Sequence, residues 1–481
     1  MRISKIRLKI TKKLCIIWFE GGEMIMLIRF SVENYMSFKE QQIFSMAAGK
    51  SSRHPSHIVS VGTNRLLKSS FIFGANAAGK SNFIHAVDFM RQLVTTGDSK
   101  SGRSRDRYFR IDPSYSKRPG VFQIEIAAND RFYSYGFSID YFKREFQAEW
   151  LYDVTDDKEI CFFERDIEKG TTKTGLKFPA NSKDGMRYEV YKTDITASKL
   201  FLSEFAKKDI DETSIFWPLK VVYNWFLKVV VVYPYSHAMK PNNFFVNSSG
   251  NNTALAQMLA GFDTGIEEIS SEKKSLEEAL SFMSKEDRSQ LISIIENDIR
   301  EHEDIRMSMD EGAKKSISIG VNNQSFVLSM ENGELMADQL MMNHGNKDDL
   351  FDLYDESDGT QRLFDLIPAY EVVKDGRVIL IDEVDRSFHS KLTEEFVRRY
   401  FEITEGSACQ MICTTHDLNL MTLNLLRKDE IWFAERDNEH STRLYSLSEF
   451  KTRNDKSVLN DYIQGRYGAI PCISEIESEE A

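Results

Sequence analysis

The 481-residue chain is poor in cysteine: Cys15, Cys161, Cys409, Cys413 and Cys472 are its five, and no two stand as CxxC. That scarcity excludes a disulfide framework and a zinc site of ordinary spacing. Cys409 and Cys413, around the apolar segment CQMIC, read as buried thiols in a reducing cytoplasm. No stretch approaches the roughly 18 apolar residues that cross a bilayer. The longest candidate, WFLKVVVVY at 225–233, is β-branched, strand-length and interrupted by Lys228. Excess positive charge is also missing, and a net charge of −12 creates no overall field toward DNA or anionic lipid. No repeat at a fixed period is visible, and neither a metal-nuclease carboxylate set nor a Ser/Cys–His nucleophile arrangement stands out. What remains is an ordinary soluble composition, 41% hydrophobic and 28% charged, on a chain long enough for two or three lobes.

Residues 1–25 form a basic extension whose apolar core, LCIIWF, is too short for a signal peptide. EGGE ahead of Met24 and Met26 is what a ribosome-binding sequence encodes, so translation is expected to begin there. MLIRFSVENYMSF then reads as a first strand, with Ile28, Phe30 and Val32 alternating. Residues 26–195 read as strand, loop, strand and helix, the last with Phe83, Val87, Met90 and Val94 on one face, followed by an antiparallel β layer from Val121 that fades toward residue 190. Between helix and layer, DSKSGRSRDRYFR reads as a solvated loop or as a nucleic-acid contact through Lys100, Arg103, Arg105, Arg107 and Arg110. Residues 196–345 are expected to be a mainly helical insertion, with Leu276, Leu280 and Met283, then Leu291, Ile295 and Ile299, at helical spacing. Residues 346–481 return to an α/β rhythm and end in the acidic tail SEIESEEA. The expected fold class is α/β, a phosphate-loop core with an antiparallel layer and a helical insertion.

GANAAGKS supplies the first chemistry. Gly74, Ala75, Asn76, Ala77, Ala78, Gly79, Lys80 and Ser81 match G-x-x-x-x-G-K-S between an apolar run and a helix. Small residues let successive backbone N–H groups turn inward around phosphates at a helix N-terminus. Lys80 is expected at the β- and γ-phosphates of ATP and Ser81 at Mg²⁺. RVILIDEVD is a buried strand ending in two acids: Asp382 to bind Mg²⁺, and Glu383 to orient or deprotonate the attacking water. A third strand, QMICTT, ends at His416, placed to hydrogen-bond the γ-phosphate and that water. NKDD at 346–349 resembles a guanine motif but precedes the Mg²⁺ strand instead of following it, so guanine specificity is set aside. ESDGTQRL offers a hydroxyl, a glycine N–H and a helix start. Spacing alone leaves open whether Ser357 and Gly359 reach phosphate or the turn is only a cap.

The order phosphate loop, S-x-G-x-Q, apolar-D-E and strand-T-T-H resembles the ABC-type ATPase core, in its RecF, SMC and overcoming-lysogenisation-defect branch. MLIRFSVENYMSF, FIFGANAAGKSNFIHAV, ESDGTQRLF and LIDEVDRSFH further resemble bacterial AAA-type ATPases of phage-defence and abortive-infection loci, often encoded beside an effector such as an RloB-like nuclease. The resemblance covers most of 26–481 and is faint from 195 to 325. It implies ATP and Mg²⁺ as cofactors and a head-to-head homodimer, each ATP lying between one chain's phosphate loop and the other's signature. Ser357 and Gly359 would touch the γ-phosphate in trans, with Thr360 and Gln361 supporting the turn and Asp385 in a loop that crosses the interface. It also implies a separate effector and no membrane partner. Two departures stand out: Asp358 replaces the signature's first glycine, and Glu356 replaces its apolar leader. Gln123 and Gln147 are candidates for the glutamine of this class, and Phe38 for stacking on adenine. The expected job is a nucleotide-dependent switch controlling an effector in anti-phage defence. The alternatives are a RecF-like DNA-binding ATPase of DNA repair, a transporter motor and a non-hydrolysing scaffold.

Overall fold

The structure, a computed structural model, describes residues 24–62, 64–100, 105–128, 130–179, 182–234, 252–301, 317–321, 324–331, 334–374, 376–451 and 457–471. Residues 1–23, Arg103 of the basic loop, Cys472 and the acidic tail lie outside them.

The centre is a six-stranded sheet in the order Val229–Val232, Val378–Ile381, Gln410–Thr414, Ser69–Phe73, Ile431–Arg436, Thr442–Ser446. Every neighbouring pair is parallel except the last. The inner strands are buried on both faces, which explains their continuous apolar runs. Ile72, Leu380, Ile412 and Trp432 face one core, while Phe71, Phe73, Ile379, Ile381, Met411, Cys413 and Phe433 face the other. The buried thiols of Cys409 and Cys413 are therefore packing groups.

The first core is closed by helix Lys80–Thr96, which buries Phe83, Ile84, Val87, Met90 and Val94, and by a seven-stranded antiparallel sheet. That sheet runs from Thr171–Lys173 through Ile160–Asp166, Glu145–Asp153, Arg131–Asp140, Gly120–Ala128 and Ile25–Glu33 to Gln42–Ser45. The second core is closed by helices Asp358–Leu366, Pro368–Lys374 and Ser390–Ile403. Each fully buried Phe or Ile in these layers contributes about 1.5–3 kcal/mol, enough to hold loops from distant segments against one sheet edge.

Alongside its helices, the expected insertion 196–345 contains strands that the sequence did not announce: Glu268–Ser275, Ile317–Val321, Gln324–Glu331 and Glu334–Asn343, which with Phe351–Asp352 make a five-stranded sheet. Glu268–Ser275, the polar lead-in to the helical spacing of Leu276, Leu280 and Met283, pairs antiparallel with Glu334–Asn343, and helix starts only at Leu276, after a capping box between Ser275 and Glu278. Pairing overrode a polar segment's weak helical preference. The leading part belongs to the head. WFLKVVVVY is half helix: Trp217–Lys228 completes a stripe with Leu219, Val222 and Phe226, and only the four valines enter the central sheet. Among the described residues, no helix is long and apolar enough to cross a membrane.

Candidate functional site

Strand Ser69–Phe73 and helix Lys80–Thr96 hold the phosphate loop between them. Gly79 has φ +100, and a Cβ there would collide with Thr442 Oγ1 and sit 2.8 Å from Ser37 Oγ. Those two hydroxyls clamp the loop. Thr442 Oγ1 donates to the Ala78 carbonyl at 2.9 Å, and Asn82 Nδ2 donates to Ser37 Oγ at 2.7 Å. Lys80 Nζ donates to the carbonyls of Gly74 and Ala75 at 2.9 and 3.0 Å, folded back on its own loop. Burial pulls its pKa down to about 8, against the raising effect of Asp382, Glu383 and Asp385.

Asp382 emerges buried from its strand, and its Oδ1 accepts from Thr414 Oγ1 at 2.6 Å. The same hydroxyl accepts the N–H of Glu383 at 2.8 Å. One threonine of the neighbouring strand thus aims both acids, with Glu383 held at φ +50. His416 follows that strand, and its N–H donates to the Asp385 carboxylate at 3.2 Å. Burial and the charge of Lys80 lower its imidazole pKa below the usual 6.5, while Asp385, Glu383 and Asp382 oppose the shift. Together Asn76, Ala77, Ala78, Gly79, Lys80, Ser81, Asn82, Glu383 and His416 line an open cleft of about 510 Å³.

Oxygen donors at Ser81 and the buried Asp382 suit a hard divalent cation. A cationic lysine and a helix N-terminus lining the cleft suit a polyphosphate. The residues present therefore fit a Mg²⁺–nucleotide.

The signature turn lies elsewhere. Ser357 caps helix Asp358–Leu366, its Oγ accepting the N–H of Thr360 at 3.2 Å, so the capping half of the sequence reading holds within the chain. Gln361 Nε2 donates to the Glu356 carbonyl at 2.8 Å. Ser357 and Asp358 are exposed and Gly359 half-buried, and among the described residues lining the cleft none belongs to this turn. Asp358 points to solvent, whereas Glu356 is buried against His344 at 2.7 Å.

Several expectations fail. Phe38 is fully buried in the core and offers no face to a base. Gln123 and Gln147 lie in strands of the antiparallel sheet, Gln123 donating to Ser134 Oγ at 3.0 Å, and neither lines the cleft. In the basic loop, Arg105 stands 5.9 Å over the Phe142 ring and the Arg107 carbonyl accepts the Met36 N–H. Sequence reasoning also missed Arg362. From the signature helix it donates to the carbonyls of Tyr233, Asp382 and Glu383. It missed Ser37, Thr442 and Thr414 as well. Only Thr414 carried a signal, the doubled threonine before His416.

A family model described as "AAA domain, putative AbiEii toxin, Type IV TA system" matches residues 69–422. The chain belongs to this family. The match runs from the strand before the phosphate loop past His416, and so contains every element of the cleft. Among solved structures, the SMC head domain from Thermotoga maritima is similar at 10% identity, covering 87% of this chain and 98% of that one, with a TM-score of 0.36. The recombination mediator protein RecF is similar at 11% identity, covering 88% and 99%, with a TM-score of 0.32. No curated protein matches the chain. As a family member, the chain has an AAA-type, phosphate-loop nucleotide-binding fold.

Proposed function

We propose that the chain is a Mg²⁺-dependent ATP hydrolase acting as a nucleotide-driven switch. Two copies close head to head on ATP, reopen after hydrolysis, and control a separate effector in a cytoplasmic toxin–antitoxin or anti-phage system. One observation carries this reading: the phosphate loop, Glu383 and His416 line one cleft, while Ser357, exposed, and Gly359, half-buried, lie outside it. A second copy supplies what each cleft lacks. The effector and the defence setting are supported by the printed family description, which names a toxin and a type IV toxin–antitoxin system.

In this mechanism backbone N–H groups of the loop at the helix start, from Gly79 to Ser81, meet the phosphates, and Lys80 leaves the Gly74 and Ala75 carbonyls to meet the terminal ones. Ser81 and Asp382 would hold Mg²⁺, which would supply charge neutralisation to the phosphates. Glu383, fixed by Thr414, takes the proton of the attacking water. His416 orients that water. Ser357 and Gly359 of the other copy close over the γ-phosphate with a helix N-terminus.

Mixing Lys80→Ala chains with Ser357→Ala chains tests the shared pocket, because each hybrid pair keeps one complete site. Phosphate release from the mixture should recover to a large fraction of that expected for one working pocket. A lone chain hydrolysing at full rate, with no recovery on mixing, would reject the proposal.

A further inference from the structure

Glu356 stands directly before Ser357, in a position only 8% exposed. A carboxylate so placed needs a partner, since an unpaired buried charge is costly. That partner comes from the insertion. His344 follows the last residue of strand Glu334–Asn343, which lies between two neighbours in the insertion's sheet, and its Nε2 is 2.7 Å from Glu356 Oε1. Phe351 meets the ring edge-on, with centroids 5.0 Å apart.

The same strand grips the signature a second way. Phe351 and Asp352 pair back onto Met342 and Met341, so the segment leading into Ser357 is anchored to the insertion on both sides of its loop. From Glu356 the path is short. Its carbonyl accepts Gln361 Nε2 at 2.8 Å, and Ser357 Oγ accepts the Thr360 N–H.

We infer that His344 is a positioning residue of the signature, holding Glu356 so that Ser357 follows the insertion's sheet and ATP turnover in the partner's pocket depends on that sheet's placement. The inference rests on the shared-pocket reading. It also accounts for the exchange of an apolar leader for Glu356: the carboxylate is the handle by which the insertion holds the turn.

The test measures His344→Ala for turnover, for ATP affinity of the isolated chain, and for complementation. Turnover should fall about ten- to hundredfold, as for misplacement of a group near 1 Å, with ATP affinity within about twofold. His344→Gln, which keeps an N–H donor, should restore most of the rate. Mixed with Lys80→Ala chains, His344→Ala should regain one working pocket; mixed with Ser357→Ala chains it should not, because both lesions then sit on the signature side. In a Glu356→Leu background, adding His344→Ala should change little, a coupling that a double-mutant cycle reads directly. Recovery with Ser357→Ala chains, or full additivity with Glu356→Leu, overturns the inference. The control mixture of Lys80→Ala and Ser357→Ala separates this from failure of the shared pocket: no recovery there removes both. Should His344→Ala not fold, the Gln and Glu356→Leu chains carry the same comparison.

Discussion

The guanidinium of Arg362 donates to the main-chain carbonyl of Glu383 at 3.3 Å. The same nitrogen reaches the Asp382 carbonyl at 3.2 Å, and the other terminal nitrogen reaches Tyr233 at 3.2 Å. The helix whose start carries Ser357 is therefore fastened, little more than one turn along, to the backbone of the chain's own acid pair. Arg362 is buried, and the desolvation that lowers its pKa also strengthens these bonds. Movement of the signature helix must drag the acid pair or break this fork.

Arg362→Lys keeps the charge but loses the planar fork. Turnover should fall at least about tenfold, and unfolding free energy by about 1–3 kcal/mol, the usual range for buried donors and acceptors left unpaired. ATP affinity of the isolated chain should hold. Phosphate release, thermal unfolding and nucleotide titration check the three parts.

Glu383→Gln removes the proposed base while keeping size and backbone. Turnover should drop about 10²–10⁴-fold, and paired chains should accumulate with uncleaved ATP bound. Size-exclusion chromatography with retained-nucleotide analysis measures this; rapid loss of nucleotide from that variant contradicts the assignment.

Thr414→Val deletes the hydroxyl shared by Asp382 and the Glu383 N–H while keeping shape. A loss of about 1–3 kcal/mol in stability is expected, with a fall in turnover larger than any change in ATP affinity. Thr414→Ser should restore most of both. Equal turnover in the Val chain would show that the acids aim themselves.

His416 should titrate below 6.5 in the nucleotide-free protein, because burial and the Lys80 charge both disfavour the imidazolium. The unfolded chain then binds more protons than the folded one between the lowered value and 6.5, so this group makes stability rise with pH across that window. NMR titration of the ring against a His416→Ala reference reads the midpoint directly; a midpoint above 6.5 refutes the electrostatic account. Added ATP, being anionic, should move the midpoint upward.

The elements legible from the residues alone share one property: their signal is local. Gly79 needs a positive φ, the four apolar residues of VILI need two buried faces, and Asp382 and Glu383 need only stand at that strand's end. The antiparallel layer was legible for the same reason, since alternation such as FQIEI has a period of its own. Where the reading failed, the deciding contact lay far along the chain. Glu268–Ser275 became a strand because Glu334–Asn343 was there to pair with it. Phe38 looked available to a base only because nothing local announces that it is buried.

Composition and motif order determined that this chain has an α/β core with a phosphate loop, two acids and a histidine on successive strands, because each motif is set by backbone conformation and burial pattern within a few residues. Only the tertiary structure decided which partners those groups have. Thr414 aims the acids, Ser37 and Thr442 clamp the loop, Arg362 ties the signature helix to the Asp382–Glu383 backbone, and His344 reaches from the insertion to Glu356. Hydrogen bonds across tens to hundreds of residues leave no period in a sequence; they exist because buried polar atoms must be satisfied wherever packing brings a donor and an acceptor together.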